Sequence, residues 1–130
     1  MKKQIISIMA LLVAAIMAMS FTYQDDPEPW PVPDEYKNME NPAESLQNGK
    51  MLYNRNCASC HGKKGLGDGP KARMLDTFSG DFSGDFYQNQ TDGEHFYKTK
   101  YGRGEMPAYE GKISDEDIWH MVNYMRTFDK

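Results

Sequence analysis

Cys57-Ala58-Ser59-Cys60-His61 is the stretch on which the reading of this chain turns. It places two thiols three positions apart on one helical turn, with an imidazole directly behind the second. Three chemistries use such a pair. A thioredoxin-like dithiol follows a strand inside a βαβ unit, whereas here Glu44 to Arg55 carries Leu46, Met51 and Leu52 among polar residues and runs as a helix into Cys57. Zinc takes four ligands, so His95 or His120 would have to be recruited, and Cys60 beside His61 is an awkward pair. The third chemistry joins each thiol as a thioether to a vinyl group of haem and leaves His61 beneath the ring to bind its iron. The helical context and the export signal described below favour haem.

An iron bound through His61 has a second axial face, and the group that fills it separates electron carriers from ligand-binding haems. Met106 is the best candidate. It lies in Gly102-Arg103-Gly104-Glu105-Met106-Pro107, where two glycines free the backbone and Pro107 holds the residue before it extended. Met121 and Met125 belong to an apolar stripe and read as core, and Met74 has no comparable loop. His95 and His120 are expected at the surface or partly buried, with His120 on the polar side of the last helix beside Asn123 and Thr127.

Around this motif the chain reads as helices separated by glycine-rich loops. Thr91-Asp92-Gly93-Glu94 has the form of a capping box and opens a helix that ends at Gly102. Ser114 opens another, with Asp117 in place of the usual Glu or Gln and Ile113 and Ile118 placed to form a hydrophobic staple. Ile118, Met121, Val122, Met125 and Phe128 then recur at helical spacing. No segment alternates long enough to make a strand, so the fold class is all-α.

The N-terminal third is of two other kinds. Met1, Lys2 and Lys3 precede an apolar run from Ile5 to Met19 broken only by Ser7, and Ala18-Met19-Ser20 offers small residues for a peptidase. Residues 1–20 are therefore expected to be a signal peptide cleaved after Ser20. The rival is an uncleaved anchor over residues 5–21, at the short edge of the ~20 apolar residues that a spanning helix takes. No cysteine follows the run before Cys57, which disfavours a lipid anchor. Residues 21–43 form a proline-rich acidic arm, with Pro27, Pro29, Pro31, Pro33 and Pro42 among Asp and Glu, and are expected to be extended and free of helix. Trp30 fits a solvated linker poorly and is expected to dock on the domain that follows, residues 44–130.

These residues together resemble the class I c-type cytochromes, small single-haem electron-transfer proteins of bacterial periplasms and mitochondria. The resemblance runs from about Glu44 to Phe128 and rests on Cys57 to His61, on Gly65-Leu66-Gly67-Asp68-Gly69-Pro70 and on Gly104-Glu105-Met106-Pro107-Ala108-Tyr109. It implies a fold of about four short helices packed around one haem c held by Cys57 and Cys60, with His61 and Met106 as iron ligands. It implies also that the Pro70 carbonyl accepts from His61, fixing its tautomer. The family crosses its first and last helices through positions matched here by Gly49 and Tyr53 and by Met121 and Tyr124. The arm is a departure from the pattern.

The 130 residues allow one domain, and a domain of about 85 residues buries little apolar surface unless a large group joins its core. Nineteen acidic against 15 basic residues, a net charge of −4, argue against nucleic acid as a partner. Lys50, Arg55, Lys63, Lys64, Lys71 and Arg73 flank the cysteines, while residues 76–94 carry acids and no base, a polarity that could steer a redox partner. The expected role is periplasmic one-electron transfer between membrane or periplasmic donors and acceptors, without catalysis. The alternative is a haem subunit held within a larger membrane oxidase, reductase or dehydrogenase complex. Contact with the membrane through this chain arises only if the N-terminal segment stays uncleaved.

Overall fold

In a computed structural model the described residues are 29–130; the expected signal peptide and the first part of the arm lie outside them. Six α-helical segments occur among these residues: α1 (Asp34–Lys37), α2 (Leu46–Asn56), α3 (Ala58–His61), α4 (Asp85–Gln88), α5 (Asp92–Tyr101) and α6 (Asp115–Arg126). A 3-10 turn covers Ala72–Met74, and no strand is present among the described residues beyond one isolated bridge between Arg103 and Met106. The all-α expectation holds: residues 44–130 carry three long helices and the single turns α3 and α4, and the third single turn, α1, lies in the arm. Turns of four residues are too short to print a 3.6-residue period on the sequence.

The three long helices begin where their caps dictate. Ser45, Thr91 and Ser114 each accept, through the side-chain oxygen, the N–H three residues on. At Thr91 the box is complete, because Glu94 returns a carboxylate to the Thr91 N–H at 2.7 Å.

α2 crosses α6 at the centre of the molecule. Contact is close because residue 49 has no Cβ: one built there would stand 1.9 Å from the His120 carbonyl oxygen. The rings of Tyr53 and Tyr124 meet beside it with centroids 5.4 Å apart, and Ile118, Met121 and Val122 are fully buried beneath. Gly49, Tyr53, Met121 and Tyr124 all lie at this crossing, as the resemblance implies.

Two expectations about histidines are corrected. His95 is 2% exposed and His120 is 7% exposed. His120 does stand beside Asn123, but that polar side of α6 is covered by the start of α2 and the end of the arm. The Ser45 N–H donates to His120 Nδ1 at 3.2 Å, and Asn41 Nδ2 donates to Asn123 Oδ1 at 3.0 Å.

The arm, too, differs from the extended tail expected of its prolines. Pro33 stands as N-cap of the single turn α1, a place where its fixed φ is useful and its missing N–H is no loss. From there the arm is bound to the helices. Val32 is buried, and Tyr36 packs edge-on to Tyr97 and shares a 2.7 Å hydroxyl contact with Tyr101. The Tyr36 carbonyl presses on α5 at Gly93, where a Cβ would come within 1.7 Å of its oxygen.

Candidate functional site

Cys57 ends α2 and caps α3, so the two helices meet at the motif. Its carbonyl accepts the N–H groups of Cys60 at 3.1 Å and of His61 at 3.0 Å, which fixes both cysteines and the histidine on one turn. The two thiols are not joined to each other, and both residues are half-buried. Burial first, and the neighbouring Cys60 second, push the Cys57 thiol up to about 12.

The glycine-rich loop then wraps the end of this turn. Gly67, Gly69 and Lys71 donate their N–H groups to the carbonyls of His61, Cys60 and Ser59 at 2.9, 3.1 and 2.8 Å. These are the carbonyls that a helix end leaves without partners. Tyr53 contributes from α2, its hydroxyl donating to the Gly62 carbonyl at 2.8 Å.

His61 itself lies stacked on Phe82, with centroids 4.5 Å apart. Burial lowers its pKa, and the backbone of Ser79 partly offsets this. Its Nδ1 is buried and has no hydrogen-bond partner. The bond expected from Pro70 is therefore not made. The loop is held to α3 through the N–H groups on either side, those of Gly69 and Lys71, and Pro70 itself is exposed.

The loop bearing Met106 is tied to the start of the same motif through Tyr109. α5 stops at Gly102, whose φ of 62° favours glycine, and Arg103 and Met106 exchange N–H to carbonyl bonds of 3.0 Å each. Two anchors fix the loop's far side. The Tyr109 hydroxyl donates to the carbonyl of Asn56, next to Cys57, at 2.8 Å, and burial with the nearby Cys57 and Cys60 pushes that hydroxyl up to about 12. One Glu105 carboxylate oxygen accepts from the Asp76 N–H, the Thr77 N–H and the Thr77 hydroxyl, each at 3.0 Å, and these bonds lower its pKa. Met106 is half-buried between them.

Cys57, Cys60, His61 and the Met106 loop therefore gather at one end of α2, with Pro70 on the outer rim. Among the described residues no three His, Cys, Asp or Glu side chains gather where they could hold a metal ion, so neither His95 nor His120 completes a zinc set with the cysteines. One feature fits a covalently held haem: the two thiols and the imidazole share one rigid turn. Ser79, Phe82, Glu105 and Tyr109 are the site neighbours that the sequence reading missed. For Ser79 and Phe82 the sequence carried no local signal, while Glu105 and Tyr109 stand inside a quoted motif without a role.

The comparisons with known proteins bear on family and fold. Residues 44–125 match the family described as cytochrome c oxidase, cbb3-type, subunit III. A cytochrome c6 of Parathermosynechococcus lividus is 30% identical over 80 residues, 62% of this chain and 86% of that protein. A cytochrome c6 of Pyropia tenera is 35% identical, covering 62% of this chain and 88% of its own length. Among solved structures, the KustC0563 c-type cytochrome superposes with a TM-score of 0.56 at 25% identity, over 63% of this chain and 98% of that one. A chain of the Kuenenia stuttgartiensis reducing HAO-like protein complex Kustc0457/Kustc0458 shares the fold, with a TM-score of 0.62 at 24% identity over 85% of this chain and 54% of that one. This chain belongs to the family of the matched cytochrome domain and is a small class I c-type cytochrome, whose covalently bound haem c and iron serve electron transfer.

Proposed function

We propose that this cytochrome is an exported one-electron carrier of the periplasm, with Cys57 and Cys60 forming the thioethers and His61 and Met106 holding the iron from its two sides. Haem c supplies one-electron exchange between ferric and ferrous iron, and thioether ligation raises its potential relative to two imidazoles. The residues of the chain do the positioning. The turn from Cys57 to His61 presents three attachment points in fixed register, and Pro70 ends the loop that wraps it. Glu105 and Tyr109 clamp the Met106 loop on either side. Tyr109 carries the proposal, because its bond to the Asn56 carbonyl ties the methionine loop to the residue before Cys57.

The test is the near-infrared sulfur-to-iron band of the ferric protein. Met106→Ala should abolish it, open the iron to added ligands and lower the reduction potential; Met74→Leu and Met121→Leu should leave it intact. Persistence of the band in Met106→Ala sinks the assignment.

A second reading, a haem subunit held in a larger oxidase, reductase or dehydrogenase complex, draws on the family's description as an oxidase subunit. A permanent subunit stays with its partners at high salt, whereas a carrier runs alone. No described helix is long and apolar enough to cross a membrane, so anchoring rests on residues 5–21. N-terminal sequencing of the periplasmic protein separates the two forms: a start at Phe21 means cleavage, a start at Met1 with recovery in membranes means an anchor.

A further inference from the structure

The arm makes one contact that neither export nor haem attachment uses. The ring of Trp30 lies over two cations: the Arg103 guanidinium carbon is 4.8 Å from its centroid and Lys98 Nζ is 6.0 Å away. Next to it, Arg103 Nη1 donates to the Pro29 carbonyl at 3.2 Å. Arg103 is also the residue whose backbone pairs in both directions with Met106. Its side chain is thus held by the arm while its main chain holds the methionine.

The surrounding chain gives this contact leverage. Arg103 sits between Gly102 and Gly104, with φ of 62° and 58°, and the backbone has room to turn on the Gly104 side. Packing is sparse on the Gly104 side alone: Arg103 and Gly104 are exposed and a Cβ at Gly104 would meet nothing within 4 Å, whereas one at Gly102 would stand 2.5 Å from the Met106 carbonyl oxygen. Behind Trp30 the arm is anchored by buried Val32, by Tyr36 on α5 and by Asn41, which donates to the Trp119 carbonyl at 3.3 Å.

We infer that Pro29 and Trp30 form a strap that grips Arg103 and thereby sets how often the Met106 loop opens. The inference rests on the proposed role of Met106 and deepens it: Trp30 and Arg103 are positioning residues that act through the methionine's backbone. A loosened strap frees the Arg103–Met106 pairing without unfolding the helices.

The test uses the full-length holoprotein. Amide hydrogen exchange is read at Arg103 and Met106, whose N–H groups make the paired bonds, and at buried amides of α6 as an internal standard. The rate at which imidazole binds the ferric protein is read in parallel. A cation–π contact at an exposed site together with one hydrogen bond corresponds to roughly ten-fold in an opening equilibrium. Trp30→Ala removes only the ring contacts and should therefore speed exchange at both loop amides and imidazole entry by about two- to five-fold, with α6 unchanged. Trp30→Phe, which keeps an aromatic face, should lie near the parent protein. Arg103→Gln, which also loses the bond to the Pro29 carbonyl, should speed exchange by about ten-fold, and the double variant should add little to it because the Trp30–Arg103 contact is shared. Unchanged exchange at Arg103 and Met106 in Trp30→Ala overturns the strap, as does acceleration that α6 shares equally. If Met106→Ala keeps its near-infrared band, the ligand assignment fails by itself, and the loop amides still decide whether the arm grips the loop.

Discussion

The α2–α6 crossing and the ring ladder that starts at His61 are built from similar residues and solve opposite problems. At the crossing, buried polar groups satisfy one another: His120 Nδ1 accepts from Ser45, and the Tyr53 hydroxyl donates to Gly62. The ladder runs from His61 to Phe82, Tyr87 and His95, with successive centroids 4.5, 4.2 and 4.0 Å apart. Both terminal imidazoles carry a buried nitrogen without a partner, as does the Ser79 hydroxyl nearby. Burying a polar group without a hydrogen bond costs stability, so a fold keeps such groups where something else uses or offsets them. At His61 the proposed iron would be held by the other ring nitrogen, Nε2, which leaves Nδ1 without an acceptor. The crossing is self-sufficient, and the ladder depends on what is attached beside it.

That contrast breaks most visibly at the cysteines. In the double variant Cys57→Ala/Cys60→Ala, acidic organic solvent should extract all haem, whereas in the parent protein the haem should stay with the denatured chain. Exchange at the Phe82 N–H, bonded to the Gly65 carbonyl at 2.6 Å, should accelerate far more than at the buried amides of α6. Haem that resists extraction from the double variant would refute the attachment.

The crossing is broken by volume. Gly49→Ala puts a Cβ 1.9 Å from the His120 carbonyl oxygen, and because both partners are helix backbone the strain has no flexible side chain to absorb it. Overpacking of this kind costs about 3 kcal/mol, read as a lowered urea midpoint. An unchanged midpoint would mean that the helices separate without penalty.

The far end of the ladder answers to pH. Burial first, then the positive charges of Arg126 and Lys98, lower the His95 pKa to about 3. The unfolded chain therefore binds a proton near pH 6.5 that the folded chain refuses until about 3. Stability from this group is complete above about pH 6.5 and declines as pH falls towards 3, by roughly 2 kcal/mol at pH 5. Urea midpoints at pH 7 and pH 5 should show that fall, and His95→Phe should flatten it. Equal slopes in the two proteins would place the acid sensitivity elsewhere.

Most of the crossing was legible in the sequence, because caps and period are local. Ser114 and the stripe from Ile118 to Met125 announce themselves within one or two turns, as does the Thr91 cap of α5 outside the crossing. The motif from Cys57 to His61 is equally local. The burial of His95 was not legible, since α5 is mixed in polarity and its inner face is set by Phe82 and Tyr87, residues from a loop and a single turn. The docking of the arm was legible at Trp30, which does lie over Lys98 and Arg103, but its prolines say nothing of Val32 becoming buried or of Tyr36 finding α5. The unmade Pro70 bond shows the limit of carrying a role over by position. The loop is there and wraps α3, but its neighbours' N–H groups make the contacts.

The smallest effect expected separates a helix start from the core beneath it. The Ser114 hydroxyl accepts the Asp117 N–H at 3.1 Å at an exposed position, and Asp115, Glu116 and Asp117 already place negative charge on the first turn of α6. Ser114→Ala removes one cap acceptor but leaves those charges and the buried stripe untouched, so the loss should be about 1 kcal/mol. Fraying should be confined to the first turn, because Ile118 and Val122 remain fully buried against α2. Ser114→Asp, which restores an acceptor, should recover most of the loss. Calorimetric Tm values for the three proteins check the order. A Ser114→Ala loss as large as that of Gly49→Ala would show that the crossing depends on where α6 begins, and its independence from the helix ends would then be wrong.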